Sequence, residues 1–229
     1  MDAIVLFVCA RSTLTRPTLL EIAEELAAEF SPEDAALYRP RWNVAPSDTT
    51  WIALDRGDAR VLGPARWGYL ASGKPLINVR GEQVASGAGF REAFASRRCV
   101  LIADGFYEWN GKREPTWFHR VDGRLLLLGA LFQPAPAQSE PFPRFTVLTT
   151  KPNAAVAAVH DRMPVVLEPS ALDRWLSGSP VEAAGLIVSA GGGVLSSRPV
   201  STHVNSVRHD DPSCIAPMLG ERPGQRELF

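Results

Sequence analysis

Cysteine is scarce in this chain: Cys9, Cys99 and Cys214 form an odd set with no Cys-x-x-Cys spacing. That argues against a disulfide framework and gives no zinc-site pattern, so a reducing cytoplasm is the expected location and no metal is expected. Long hydrophobic runs are missing as well. No stretch approaches the ~18 apolar residues of a membrane span, and the apolar start Met1-Asp2-Ala3-Ile4-Val5-Leu6-Phe7-Val8 lacks the basic region of a signal peptide. Neither sign of charge is in excess: 24 basic and 25 acidic residues leave a formal net charge of −1. A nucleic-acid partner must therefore be held by a local basic patch, since the overall field offers no attraction. Internal repeats and clear linkers are absent too, so the 229 residues read as one domain, expected to be a monomer.

What is present is an ordinary globular balance, 45% hydrophobic and 21% charged residues, with length enough for a full core. Residues 4–10 read as a buried strand. Leu19, Ile22, Ala23, Leu26 and Phe30 recur at helical spacing with Glu21, Glu24 and Glu25 opposite, which predicts an amphipathic helix with Pro17 near its first turn. Residues 51–54 and 61–62 read as strands around the turn Asp55-Arg56-Gly57-Asp58. The middle is strand-rich, at 99–102, 106–109, 116–118, 125–132 and 145–149, punctuated by Gly, Pro and Asp. Asn110-Gly111 and Asp122-Gly123 are expected hairpin turns, and residues 134–143 a proline-rich loop. Asn153 is placed to cap a short helix over 154–159 that delivers His160, and another helix is expected near 171–176. The tail beyond Gly191-Gly192-Gly193 is expected to lie over the surface. The pattern is α+β, with a mainly antiparallel sheet.

Four segments set polar residues in apolar or tightly turned surroundings: Cys9-Ala10-Arg11, Leu76-Ile77-Asn78-Val79-Arg80, residues 103–109, and Val159-His160-Asp161-Arg162-Met163-Pro164. Glu108 stands between Tyr107 and Trp109. It is either an acid–base group whose pKa the aromatic setting raises, or a strand carboxylate facing solvent. His160, taken alone, reads as a structural or exposed helix-end residue. Asn78 and Arg80 share a strand face, which suits a sugar and a phosphate but equally a surface hydrogen-bonding pair. Arg162 reads as a salt-bridge partner. Cys9, like Cys99 and Cys214, reads as a small buried hydrophobe while it stays inside the chain. Placed first in the chain it would differ, because its thiol and free amine, two carbons apart, can together capture an aldehyde.

Taken in order, these segments resemble the SRAP family, the SOS-response-associated peptidases now understood as abasic-site processing proteins. The family's opening Cys-Gly-Arg is matched by Cys9-Ala10-Arg11 and its Asn-x-Ala-Pro by Asn43-Val44-Ala45-Pro46. Trp67-Gly68-Tyr69, Ile77-Asn78-Val79-Arg80, Ala103-Asp104-Gly105-Phe106-Tyr107-Glu108-Trp109, His160-Asp161-Arg162-Met163-Pro164 and Val204-Asn205-Ser206-Val207-Arg208 follow. The resemblance implies a single SRAP-like domain over residues 9–229 with a barrel-like sheet core flanked by helices. It also implies a covalent adduct between an N-terminal Cys9 and an abasic site in single-stranded DNA. The amine forms a Schiff base and the thiolate closes a thiazolidine, with Glu108 and His160 moving protons and Asn78 holding the opened sugar. Arg11, Arg80, Lys74, Thr149 and Arg162 are implied as DNA contacts, and no metal or organic cofactor is implied. The peptidase name implies self-processing by the same Cys9, Glu108 and His160.

Departures from the family pattern bear on that expectation. Residues 1–8 precede Cys9, where the family has only an initiator methionine. Three outcomes are open: Val8 is the true start, the Val8–Cys9 bond is self-cleaved, or the extension persists and thiazolidine chemistry is lost. Ala10 replaces a glycine, which would strain the chain if that position needs φ > 0. The segment Leu70-Ala71-Ser72-Gly73-Lys74-Pro75 lacks tryptophans found in many relatives, and Ser86-Gly87-Ala88-Gly89 lacks an arginine, so weaker DNA binding is expected. Two other classes remain beside the adduct-forming one: a cysteine-nucleophile amide hydrolase acting without DNA, and a non-catalytic single-strand binder with an inert Cys9.

Overall fold

The computed structural model describes residues 9–87, 89–135 and 140–218. Strand β1 (Ser12–Leu14) leads into helices α1 (Leu19–Leu26) and α2 (Pro32–Leu37), followed by β2 (Arg41–Val44), β3 (Thr49–Asp55) and β4 (Arg60–Trp67). A small hairpin of β5 (Tyr69–Ala71) and β6 (Lys74–Leu76) precedes β7 (Asn78–Arg80) and helices α3 (Gly81–Ser86) and α4 (Arg91–Ser96). The middle comprises β8 (Arg98–Ala103), β9 (Gly105–Trp109), β10 (Pro115–Arg120), β11 (Leu126–Gln133) and β12 (Arg144–Thr150). Then come α5 (Ala154–Ala157), β13 (Met163–Pro164), β14 (Val166–Leu167), α6 (Leu172–Leu176), α7 (Pro180–Ala184) and β15 (Leu195–Pro199).

Strands β4, β3, β8 and β11 are successive antiparallel neighbours, and β12 pairs with both β11 and β4, which closes a ring. The barrel-like, mainly antiparallel core is therefore observed, with parallel strand pairing where β12 meets β4 and β7. A second sheet runs in the order β15-β10-β9-β1-β2. Side chains alternate across each strand, so the ring presents two apolar faces. Ile52, Leu101, Leu128 and Val147 pack with Phe106, Phe118 and Val44 of the second sheet, and Cys9 lies in that cluster. Trp51, Val100, Leu127 and Leu148 pack instead under α1, Phe94 of α4 and Trp175 of α6.

Helix α1 is shorter than its apolar spacing predicts. Thr18 caps it by accepting a hydrogen bond from the Glu21 N–H, and Pro17 stands before the cap. Ala27, at φ 47°, turns the chain out of the helix, so Phe30 packs on the core from outside it. Asn153 does cap α5, but the helix ends at Ala157 and His160 sits on the turn beyond. Cys9 and Ala10 are not in a strand; the remainder of the expected strand over 4–10 lies outside the described residues. Asp122-Gly123 is a turn but not a hairpin, because it joins β10 of one sheet to β11 of the other.

The tail is the larger correction. It is built into the fold: β15 pairs with β10 from Thr116 opposite Pro199 to Arg120 opposite Leu195, and Val200, Val204 and Cys214 are buried with Tyr107 and Trp117. These apolar residues are isolated in polar sequence, so no periodicity announces them. The Asn43 amide donates to the carbonyls of Val204, Ser206 and His209, while Asp210 accepts from the Trp42 and Asn43 N–H groups. The Asn-x-Ala-Pro motif thus holds the tail.

Gly105 lets the second sheet close. A Cβ there would lie 2.1 Å from Trp117 Nε1, which donates to Thr13 Oγ1 at 3.2 Å. Gly105→Ala is expected to cost about 1–3 kcal/mol of unfolding free energy, read from the denaturant midpoint. An unchanged midpoint would contradict this packing.

Candidate active site

The register of β1 on β9 determines what stands beside Cys9. Ser12 opposes Phe106, and the Tyr107 N–H donates to the Arg11 carbonyl at 3.1 Å, so the next step upstream runs alongside Glu108. Phe106 and Glu108 share a face of β9 by strand alternation, and Phe106 belongs to the cluster that contains Cys9. Glu108 is consequently buried, not solvent-facing. The Cys9 nitrogen donates to Glu108 Oε1 at 2.7 Å, with Cys9 0% and Glu108 1% exposed.

Cys9 adopts φ 45°, a left-handed conformation, whereas Ala10 is not among the residues with positive φ. The strain expected at Ala10 falls on Cys9 instead. Such a conformation costs an L-residue roughly 1–2 kcal/mol through its clash with backbone carbonyls. The φ torsion exists only while a peptide bond precedes Cys9.

Burial pushes the Glu108 carboxyl up to about 8; Asp161 adds to the rise and the Cys9 N–H bond opposes it. The Cys9 thiol is also pushed up, by burial first and by Glu108 second. The resting sulfur is therefore a neutral thiol.

A cleft of about 600 Å³ opens next to this pair, lined among others by Asn78, Arg80, Trp109, Thr149, His160 and Arg162. Parallel pairing of β7 with β12 sets Asn78 opposite Val147 and Arg80 opposite Thr149. Trp109, directly after Glu108, and Asp161, which acts on the Glu108 charge, belong to the cleft wall. His160 Nδ1 accepts from the Arg162 N–H at 3.1 Å, which leaves Nε2 as the proton-bearing nitrogen of the neutral ring. Asp161 Oδ1 lies 3.0 Å from the same Nδ1.

Arg162 forms the ion pair expected of it, bidentate to Glu82 at 2.8 Å for each bond, and also donates to the Thr149 carbonyl at 2.6 Å. The Thr149 hydroxyl bonds the Val79 carbonyl at 3.3 Å. Lys74 is exposed on the β5–β6 hairpin, whose turn is made by Ser72 at φ 49° and Gly73 at φ 76°. Arg11 does not line the cleft. Its guanidinium bonds Asn43 Oδ1 at 2.6 Å and the Val204 carbonyl at 2.9 Å, and lies 5.7 Å from the Trp109 ring centre. Asn78, Arg80, Thr149, His160 and Arg162 are thus brought together, with Cys9 and Glu108 adjoining and Arg11 and Lys74 apart. Trp109, Asp161 and Asn43 stand in the motifs without a local signal of a site role; their neighbours in the fold supply it. Among the described residues, the His, Cys and carboxylate side chains close enough to share a metal ion lie in the tail, at His203, Asp211 and Cys214.

Known proteins bear on this arrangement. A family model described as SOS response associated peptidase (SRAP) matches residues 8–207. The abasic site processing protein YoqW of Bacillus subtilis is 30% identical over 202 residues, covering 82% of this chain and 89% of the relative. The abasic site processing protein YedK of Escherichia coli is 27% identical over 224 residues, covering 91% and 98%. A solved structure of a protein from Bacteroides thetaiotaomicron superposes with a TM-score of 0.78 at 16% identity, covering 92% of this chain and all of that one, a likeness of fold. Among the described residues no helix is long and apolar enough to cross a membrane.

The raised Glu108 pKa has a defined signature in stability. With the folded value near 8 and the ordinary value 4.5, the folded chain binds this proton more tightly. The stabilisation is full below pH 4.5 and is lost as pH rises through about 8. In protein that retains the Val8–Cys9 peptide bond, wild type is expected to lose on the order of a few kcal/mol relative to Glu108→Gln between about pH 5 and pH 8. Parallel stability–pH profiles for the two proteins would contradict the assignment.

Proposed function

This chain belongs to the SOS response associated peptidase (SRAP) family, and we propose that it processes abasic sites by capturing them covalently on a Cys9 whose amine is free. The observation that carries this reading is the Cys9 nitrogen held 2.7 Å from a buried carboxyl group beside a polar cleft. The ring-opened sugar presents an aldehyde. The Cys9 amine adds to its carbon, Glu108 delivers the proton that lets water leave, and an imine results. The neutral Cys9 thiol then adds to the imine carbon, its proton passing through the Glu108 carboxylate to the nitrogen. A thiazolidine closes, with one water released overall. A buried carboxyl group within hydrogen-bond reach of the reacting nitrogen suits both steps, since it can deliver a proton for dehydration and then take one back.

Around the reacting atoms, His160 serves the opened sugar through Nε2–H and Asn78 holds its hydroxyls. Arg80 at the exposed rim, with Lys74 further out, contacts phosphates of a single strand. Arg162 and Thr149 shape the cleft floor, and Arg11 sets the position of Trp109. The protein acts as a monomer. The left-handed φ of Cys9 supports self-cleavage of the Val8–Cys9 bond as the source of the amine, because breaking that bond removes the torsion.

Protein verified by mass to begin at Cys9 is expected to give a heat-stable, shifted band with a single-stranded abasic oligonucleotide. Cys9→Ala and protein retaining residues 1–8 are expected to give none, and Glu108→Gln to slow adduct formation by about 100-fold. Absence of the band from the verified Cys9-first protein would overturn the proposal.

A further inference from the structure

A second cluster of reactive side chains lies in the tail, among residues that do not line the cleft. His203 Nε2 stands 2.9 Å from Asp211 Oδ2, and one donor atom from each of His203, Asp211 and Cys214 lies within 4.8 Å of the other two. We propose that His203, Asp211 and Cys214 form a site for a divalent transition-metal ion of the Zn²⁺ or Co²⁺ kind. Imidazole nitrogen, carboxylate oxygen and thiolate sulfur are the donors such ions take, whereas Mg²⁺ and Ca²⁺ require oxygen. Metal–ligand bonds of about 2.0–2.3 Å in a tetrahedron place donors about 3.3–3.6 Å apart. The 2.9 Å pair has to open slightly and the sulfur to close in.

The surrounding groups orient these ligands. Asp211 keeps one oxygen for the ion because its other, Oδ1, accepts from the Ser213 N–H at 2.9 Å. The His203 ring stacks on His209 with centroids 3.7 Å apart and planes 3° from parallel, and His209 Nδ1 is bonded to the His203 carbonyl at 2.7 Å. Cys214 is buried with its sulfur 3.6 Å from the His209 carbonyl, while the side chains of His203 and Asp211 are 32% and 46% exposed. The ion thus has an entry path and an open fourth position for water.

Charge and protons balance. The Cys214 thiol loses its proton to solvent, and the Nε2 proton of His203 moves to Nδ1. One carboxylate and one thiolate then neutralise the dication, with one proton released per ion bound. The same tail supplies the Val204 carbonyl to Arg11 and Asn205 Oδ1 to Trp109 Nε1, so the bound ion pins the segment that backs the cleft wall.

Chelator-treated protein titrated with Co²⁺ is expected to develop a thiolate-to-cobalt absorption band that saturates at one equivalent and is displaced by Zn²⁺. Cys9→Ala is expected to keep the band and Cys214→Ser to lose it. His203→Gln and Asp211→Asn, both at half-exposed positions, are expected to weaken binding by more than about 10-fold. No band at one equivalent overturns the proposal. So does unchanged affinity in His203→Gln and Asp211→Asn, or loss of the band in Cys9→Ala.

Discussion

The hydrogen bond from the Cys9 nitrogen to Glu108, 2.7 Å long and sealed from water, is the constraint on which the rest of this structure depends. A carboxyl group is costly to bury, and here the cost appears as a pKa displaced to about 8. Everything around it serves to hold that placement. The ring of strands supplies an apolar face, the second sheet lays β9 across it with Phe106 and Glu108 pointing inward, and β1 brings the start of the described chain alongside. The carboxyl is useful as an acid and a base because the fold keeps it out of water.

A second layer of interactions keeps this wall in register. Arg11, immediately after the Cys9-Ala10 pair, is bound to Asn43 and to tail carbonyls, and it stacks over Trp109 beside Glu108. Asn43 and Asp210 hold the tail against β2. The motifs in this chain therefore divide by task. Cys9, Glu108, Asn78 and His160 face or adjoin the cleft. Asp104 does not: it accepts bonds from Thr13 and Thr15 and secures the turn between β8 and β9. Gly105 makes room for Trp117.

Much of the fold was readable because strands such as β3, β8, β11 and β12 are short, largely apolar runs bounded by Gly, Pro and Asp. The cap at Asn153 and the turn at Asp55–Asp58 followed from local chemistry. Other features needed the tertiary structure. Whether Glu108 faced solvent or core depended on which face of β9 met the ring, and alternation alone leaves that open. Asp122-Gly123 was visible as a turn, but its strands belong to different sheets. Val200, Val204 and Cys214 are single apolar residues in a polar tail, so their burial carried no local signal. Arg162 was readable as an ion-pair residue, whereas its partner Glu82, 80 positions away, was not.

The central claim is that one residue supplies both nucleophiles, and the covalent adduct itself tests it most directly. After digestion of the protein–DNA adduct, tandem mass spectrometry of the modified peptide is decisive. The account predicts a peptide that begins at Cys9, carries the opened deoxyribose with loss of one water, and resists thiol alkylation because the sulfur is in the ring. An adduct on a peptide that begins upstream of Cys9, on another residue, or with an alkylatable Cys9 thiol would contradict it.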